Sequence, residues 1–382
     1  MRWSRQILFG DVDAMFASAA VLADPSLAGK PVAVGGSSPR GIIAAASYAA
    51  RAFGVHAAMP TGEARRLCPH LMLIPPDRPL YRRLHEQMQA VTGRLLPVTE
   101  WTSIDEFYAE TTDMQSLYPD PSRLGQCVKE AIFEATGLRC TVALATGKTV
   151  AKVAADAHKP DGLAVIEPGT EASFLAARPV RDLPGIGPKS AAMLNSLGVQ
   201  RVGDLLDPRH ELFLRQRWGN RFVAWQEVAR GIDHDPVVVD RASKSLGHET
   251  TFEHDTGDLA FLEQTIRSFL GTLAHDLRVQ GMAAGSFTVK LKDAKFRITT
   301  RQQQFRQPLN YDPTMWPAIR SALHNLATPH TCYRLVGLSL SGLLPATESL
   351  FALRQTQAVA ALDGLIERYG SRMVRLGGIP EE

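Results

Sequence analysis

Short apolar runs alternate with stretches of helical spacing through the first part of the chain. Residues 6–10 read as a buried strand and 13–22 as a helix. Residues 30–36 and 41–47 read as two further strands, each bounded by glycine or proline. Leu80, Leu84, Met88, Val91 and Leu95 recur at helical spacing, which predicts a helix over 77–95. Strands follow near 97–101 and 105–110, then a helix near 122–136, a strand at 140–145 and a helix at 148–158. This order suits an α/β or α+β domain that ends near residue 167. A helical, turn-rich stretch occupies 168–236, and 237–244 reads as an extended linker. Strand and helix mix again over 245–343, with a helix at 261–280 and half-buried strands at 285–292 and 333–341. A tail over 344–382 holds a candidate helix at 356–370. The pattern is that of a multidomain α/β and α+β chain.

Two acidic clusters stand at predicted strand ends. Asp11 and Asp13 close the run Gln6-Ile-Leu-Phe-Gly-Asp-Val-Asp13, and Asp105-Glu106 lies about ninety residues later. Carboxylates that meet across a sheet are costly without a cation. Oxygen ligands with no adjacent His or Cys point to magnesium and phosphate chemistry. The turn after Asp11 also leads into a helix, whose first N–H groups can cradle phosphate, although Asp in this place is often only a cap. Tyr48 and Arg51, at i and i+3, put a phenol and a guanidinium on one helix face, suited to grip a triphosphate, although a surface Arg beside a half-buried Tyr is the commoner reading of such a pair. Lys148, Lys152 and Lys159 add cations on and after the next helix; solvated lysines are the commoner reading.

The run Leu183-Pro-Gly-Ile-Gly187, followed by an amphipathic helix to Leu197 and Gly198, reads as a helix–hairpin–helix, with a purely structural αα-hairpin as the lesser alternative. Its glycines let backbone amides approach a DNA phosphate without reading bases.

Composition changes little in this picture. The chain has 382 residues, is 45% hydrophobic and 21% charged, and carries a formal net charge of +3. That is an ordinary globular balance, so a nucleic-acid partner must be argued from local charge. Between 286 and 306 there are six basic residues, Lys290, Lys292, Lys295, Arg297, Arg301 and Arg306, against Asp293 alone. They form either a solvated strand face or a phosphate-binding strip. Four cysteines at 68, 127, 140 and 332 make no CxxC site and no disulfide framework, consistent with a reducing cytosol. No signal peptide and no membrane span is expected, which places the chain in the cytoplasm.

Taken together these motifs resemble the Y-family translesion DNA polymerases, most nearly the DinB (polymerase IV) branch. The matching elements run in order: Asp11-x-Asp13 with Phe16; Ala44-Ala-Ala-Ser-Tyr48-x-x-Arg51; Ser103-Ile-Asp-Glu106; Ala151-Lys-Val-Ala-Ala-Asp156 with Lys159-Pro-Asp-Gly162; Leu183-Pro-Gly-Ile-Gly187; and Lys244-Ser-Leu-Gly247. The resemblance implies a right hand. Its palm would be 1–20 and 79–167, small fingers 21–78, a helix–hairpin–helix thumb 168–236, a linker 237–244 and an α+β little finger 245–343. It implies a low-fidelity DNA-directed DNA polymerase that adds dNTPs to a primer on template DNA. Asp11, Asp105 and Glu106, with the Val12 carbonyl, would hold two Mg2+ ions. Asp13 would support the site without being a principal ligand. The backbone of Ala14, Met15 and Phe16, with Tyr48, Arg51 and Lys159, would hold the triphosphate. Phe16 would be the steric gate against a 2′-hydroxyl, and Ala44 and Ala45 would roof the new base pair.

DNA contacts would come from Gly185, Gly187 and Lys189, and from Lys244, Lys290, Lys292, Lys295, Arg297 and Arg301. A clamp-binding tail is implied, of which Thr347-Glu-Ser-Leu-Phe351 keeps only the anchor Leu350-Phe351. A monomer is expected. Four departures stand out: Met15 where an aromatic is usual, Ala20 for Glu, Phe107 for Ala, and Ala109-Glu110 for Leu-Asp. Two other readings are an inactive adaptor relative, against which the three carboxylates argue, and a helix–hairpin–helix DNA-binding protein without polymerase activity. The latter leaves the acidic clusters and Tyr48/Arg51 unexplained.

Overall fold

The computed structural model describes residues 3–239, 243–346, 364, 365 and 368, and divides into two compact units, 1–241 and 242–382. In chain order the first unit contains β1 (Ile7–Val12), α1 (Met15–Ala23), β2 (Val32–Gly35), β3 (Ile43–Ala46), α2 (Tyr48–Arg51), α3 (Thr61–Leu67) and β4 (Met72–Ile74). It continues with α4 (Arg78–Leu95), β5 (Val98–Trp101), β6 (Glu106–Glu110), α5 (Pro121–Thr136), β7 (Cys140–Ala145), α6 (Lys148–His158) and β8 (Leu163–Val165). Four helices close it: α7 (Glu171–Ala176), α8 (Pro188–Ser196), α9 (Pro208–Trp218) and α10 (Asn220–Ala229).

A five-stranded sheet, ordered β5-β6-β1-β7-β8, carries the site. All six residues of β1 are buried, because it lies in the middle with antiparallel partners on both sides. Side chains alternate between the faces. Leu8 and Val12 join Phe107, Val142 and Leu144 under α4 and α5, which contribute Leu84, Met88, Leu124, Val128 and Ile132. Ile7 and Phe9 join Tyr108, Ala143 and Ala145 under α6. Both covering helices on the first face have local stop and start signals. Asp77 caps α4 by accepting from the Leu80 N–H, and Asp120 caps α5 by accepting from the Ser122 N–H. Gly137 ends α5 in the left-handed region, φ 74°.

The departure at Phe107 has a packing reason. Its cross-strand partner on β1 is Gly10, and a Cβ there would stand 2.4 Å from the Phe107 ring. The ring occupies the space that a side chain at 10 would fill.

A smaller sheet, β3-β2-β4, packs Ala33, Ile43 and Ala46 against Ala50, Val55, Met59, Ala64 and Cys68. The helical stretch after β8 buries Leu175, Leu183, Leu194, Leu205, Leu214 and Phe222 in a cluster continuous with the α6 face.

The second unit contains β9 (Ser245–Thr256), α11 (Leu259–Val279), β10 (Met282–Asp293), β11 (Ile298–Leu309), α12 (Asp312–Leu326) and β12 (Tyr333–Pro345). Its antiparallel sheet is ordered β11-β10-β12-β9. One face buries Phe287, Val289, Leu291, Val336 and Leu338 under α11 and α12, and the other is open.

The structure agrees with the predicted strands and helices of the first unit to within a few residues and adds α3, β4 and β8. In the second unit it adds β9, β11 and α12. The proposed clamp anchor, Leu350 and Phe351, lies outside the described residues, as does most of the 356–370 helix. Among the described residues no helix is long and apolar enough to cross a membrane.

Candidate active site

Pairing of β1 with β6 brings the two acidic clusters together. Asp11 is the direct cross-strand partner of Glu106, and the Val12 N–H donates to the Asp105 carbonyl at 3.0 Å. Phe9 is opposite Tyr108 in the same register, so Asp11, Glu106, Phe9 and Tyr108 share the α6 face. Over that face α6 lays a row of lysines. Lys152 places its ammonium 2.5 Å from Glu106 Oε1 and 4.8 Å from the Phe9 ring centre. Lys159, just past the helix end, reaches Asp11 Oδ2 at 2.6 Å and Asp156 at 2.9 Å.

Lys148 differs from expectation. It is neither a solvated lysine nor a group turned to the acidic cluster. It is buried, 2.6 Å from Glu100 Oε2, and donates to the Pro236 carbonyl at 3.2 Å. Its helix position points it under the chain leaving α10.

Asp11 is 6% exposed. Burial pushes its carboxyl up to about 7, Lys159 opposes the rise, and Glu106 and Asp105 add to it. The Lys159 ammonium is held above its ordinary value by Asp11 and Asp156, which outweigh its own burial. A buried carboxylate driven toward neutrality, beside two others, is an oxygen donor set that suits a hard divalent cation. Among the described residues, no three such groups stand close enough to form a ready ligand cluster, and lysines pair with Asp11 and Glu106. Ser103 holds the other carboxylate: its hydroxyl donates to Asp105 Oδ1 at 2.5 Å and accepts from the Glu106 N–H at 3.0 Å.

Asp13 is turned away from this cluster. It accepts from the Tyr48 hydroxyl at 3.1 Å, the Thr141 hydroxyl at 3.0 Å and the Asp161 N–H at 2.8 Å.

Helix α1 starts at Ala14, which is left-handed at φ 47° and supplies no side-chain cap. Helix α2 starts at Ser47, whose hydroxyl accepts from the Ala50 N–H. Arg51 stacks 4.6 Å over the Tyr48 ring and donates to the Ala46 carbonyl at 3.0 Å. Burial, then the Asp13 charge, pushes the Tyr48 phenol up to about 12, so it remains a donor. A cleft of about 220 Å³ is lined by Asp11, Val12, Ala14, Met15, Phe16, Ala44, Ala45, Tyr48, Arg51, Asp105 and Lys159. All the residues expected to bind nucleotide are therefore gathered, and Glu106 adjoins them.

Three contributors carried no distinct sequence signal. Ala57 also lines the cleft. Tyr81 of α4 stacks on Phe16, with ring centres 4.2 Å apart and planes at 21°. Its position on the apolar stripe with Leu84 and Met88 marks it only as buried. Thr141 is visible beforehand only as a polar residue in a buried strand.

The other predicted groups lie elsewhere. Gly185 is left-handed at φ 88°, Gly187 is the N-cap of α8 without a side-chain cap, and Lys189 is exposed. In the second unit Lys244 is exposed. The basic run does not form one strip. Lys290 and Lys292 alternate with buried Val289 and Leu291 and face the open side of the sheet, whereas Arg301 pairs with Val289 and faces the helix side. Lys290 is tied to Glu249 at 2.7 Å. Arg297 folds back on Asp293 at 2.7 Å, in the turn that also holds exposed Lys295. Strand alternation and one turn separate what is contiguous in sequence.

The chain matches the impB/mucB/samB family over residues 10–156, the helix–hairpin–helix motif of that family over 168–199, and its C-terminal domain over 243–358. It is 39% identical to DNA polymerase IV of Halorhodospira halophila over 347 residues, covering 90% of this chain and 97% of that one. It is 39% identical to DNA polymerase IV of Methanoculleus marisnigri over 345 residues, covering 88% and 94%. The fold is similar to a Y-family DNA polymerase chimera, Dbh-Dpo4(243-245)-Dbh, with TM-score 0.82 and 25% identity over 89% of this chain and all of that one. It is also similar to the insertion ternary complex of Dbh DNA polymerase, with TM-score 0.65 and 25% identity over 89% and 100%. With its family matches and its identity to these relatives spread over most of its length, the chain belongs to the impB/mucB/samB family of Y-family DNA polymerases, in the DNA polymerase IV (DinB) branch.

Proposed function

We propose that this DNA-directed DNA polymerase adds dNTPs to a primer 3′ end with low fidelity, during synthesis past damaged template bases. The observation that carries the reading is the register that sets Asp11 opposite Glu106 at the end of a cleft that also holds Tyr48, Arg51 and Lys159. Two magnesium ions held by Asp11, Asp105, Glu106 and the Val12 carbonyl would activate the primer hydroxyl and neutralise charge on the phosphates. Arg51, Lys159 and the Tyr48 hydroxyl bind the triphosphate, with the uncapped N–H groups of Ala14, Met15 and Phe16. Lys159 exchanges Asp11 for phosphate as the nucleotide enters. Phe16, backed by Tyr81, lies under the sugar and excludes a 2′-hydroxyl. Ala44 and Ala45 leave slack around the base pair, which admits a damaged template base and weakens shape discrimination.

The palm is 1–20 and 79–167, the fingers 21–78, the thumb 168–236, the linker 237–244 and the little finger 245–343. Primer-template DNA is held by the backbone at Gly185 and Gly187 with Lys189, and by Lys244, Lys290, Lys292, Lys295 and Arg301. Of the basic run, Arg297 has the weakest claim, because Asp293 already holds it. The protein acts as a cytoplasmic monomer that docks on the sliding clamp through Leu350 and Phe351. Clamp pull-down with Leu350→Ala plus Phe351→Ala tests that docking, and undiminished capture would remove it.

The central test is primer extension with four dNTPs and Mg2+, beside the Asp105→Ala, Glu106→Ala double variant. Extension by the wild type alone, with DNA affinity equal in both, is expected. Failure of both to extend, with DNA still bound, would shift the reading to an adaptor.

A further inference from the structure

The carboxylate of Asp13 is 5% exposed and does not line the nucleotide cleft. It sits behind the wall, and every group it holds belongs to that wall or supports it. Tyr48 comes from α2 in the region of the small sheet, and Thr141 from β7 in the large one. The Asp161 N–H belongs to the loop that carries Lys159. Thr141 extends the tie, because its hydroxyl also accepts from the Gly162 N–H at 3.2 Å. Two consecutive amides of the loop are thus fastened to one buried acceptor, directly and through one hydroxyl. The loop closes tightly on the end of α6: a Cβ on Gly162 would stand 2.2 Å from the His158 carbonyl oxygen. On its outer side Lys129 and Arg139 grip the Asp161 carboxylate at 3.0 and 2.7 Å.

We propose that Asp13 is the positioning residue of the triphosphate clamp, fixing the Lys159 loop, and the Tyr48 hydroxyl until phosphate takes its single proton, at one spacing from the α1 N-terminus. The proposal rests on the polymerase reading above and adds a residue that acts only through others. An ionised carboxylate is an acceptor at both oxygens, which is what three converging donors require. Asparagine has the same shape but one acceptor and one NH2. With its oxygen toward Tyr48 and Thr141, its NH2 meets the Asp161 N–H; flipped, its NH2 donates to the two hydroxyl oxygens, and the proton of the buried Thr141 hydroxyl loses its carboxylate acceptor. Either orientation costs one hydrogen bond of the clamp.

The experiment is single-nucleotide insertion with a saturating primer-template, read as KM for dNTP and kcat separately. Asp13→Asn, Thr141→Val and Tyr48→Phe are measured singly, together with the Asp13→Asn, Tyr48→Phe double variant. Asp13→Asn is expected to raise KM for dNTP about tenfold while kcat changes less than about threefold. The double variant is expected to lose less than the product of the single losses, because both act on the same hydroxyl. Thr141→Val should raise KM in the same direction, and it serves as the test if Asp13→Asn does not fold. A role in stability alone would lower Tm and leave KM in place. Unchanged KM in variants of an active enzyme, or fully multiplicative losses, overturns the positioning role and leaves the polymerase reading intact. A wild type that cannot extend a primer overturns both.

Discussion

Lys159 Nζ and Asp11 Oδ2 stand 2.6 Å apart, so a cation expected to meet phosphate neutralises a carboxylate expected to meet metal. The pair fills two roles at once. It supplies Asp11 with a counter-charge when no cation is near, and it keeps Lys159 at the mouth of the cleft. The same arrangement repeats about two turns away, where Lys152 meets Glu106. Each lysine supplies the counter-charge of the carboxylate it meets.

This arrangement gives stability a pH dependence with a definite sign. The Asp11 carboxyl is raised in the folded protein from 3.8 to about 7. A raised value means that the native state holds the proton more tightly than the unfolded chain. Its contribution is complete below about pH 4 and is lost as pH rises through about 7. Lys159, held above its ordinary value, stays charged across this window and adds no slope. The carboxyls of Asp24, Asp120, Asp161, Asp207 and Asp293 are lowered, so their contributions fall away only at more acid pH. In chelator, wild-type Tm is expected to drop relative to Asp11→Asn between about pH 4 and 7, and Mg2+ should reduce the drop. Parallel Tm curves for the two proteins would show that Asp11 is not raised.

Sugar selectivity is expected to depend on the Phe16 ring and its Tyr81 backing. The stack leaves the Phe16 ring one stable position beside the cleft. Phe16→Ala should increase the ratio of ribonucleotide to deoxynucleotide insertion by at least about tenfold, since one lost steric contact is worth roughly 1–3 kcal/mol in discrimination. Single-turnover insertion of matched rNTP and dNTP measures it. An unaltered ratio would move the gate to another residue.

The split of the basic run separates two lysine and arginine variants that look alike in sequence. Lys292 faces the open side of the sheet, while Arg297 is held by Asp293. If the open face tracks the DNA backbone, Lys292→Ala should lower the slope of log affinity against log salt by about 0.9. Arg297→Ala should leave that slope unchanged. Equal effects of the two substitutions would mean that the turn at 293–297 also reaches phosphate.

Legibility from sequence followed burial. Strand β1 is apolar until Asp11 and buried on both sides, so its limits were readable from the run itself. Strands β9 and β11 were not, because they are the edges of their sheet and carry polar residues on both faces. Helix α12 was obscured by Pro313 at its first turn and Pro317 inside it, although its buried stripe is Met315, Ile319, Ala322 and Leu323. The gathering of the carboxylates, Tyr48, Arg51 and Lys159 beside one cleft was legible because chemistry and order coincided. Tyr81 and Thr141 were not, since each looks like an ordinary core position until a neighbour from a distant segment is placed beside it. Lys148 was misread for the same reason: its partner Glu100 is 48 residues earlier.

That buried pair yields the last prediction. Glu100 is 1% exposed and its Oε2 accepts from Lys148 at 2.6 Å and from the Val238 N–H at 2.9 Å. Lys148 also lies 4.6 Å from the Tyr108 ring centre, so its charge is compensated from two sides. Lys148→Met keeps the apolar stem but takes a cation away from a carboxylate that is 1% exposed. Removing one partner of a buried pair costs about 3–5 kcal/mol. Combining it with Glu100→Gln removes the buried negative charge while keeping an acceptor for Val238, so most of the loss should return. Denaturant unfolding of the wild type, the two single variants and the double variant measures the coupling. If the double variant is no more stable than Lys148→Met, the lysine contributes by packing rather than by charge, and the ion pair is incidental to the fold.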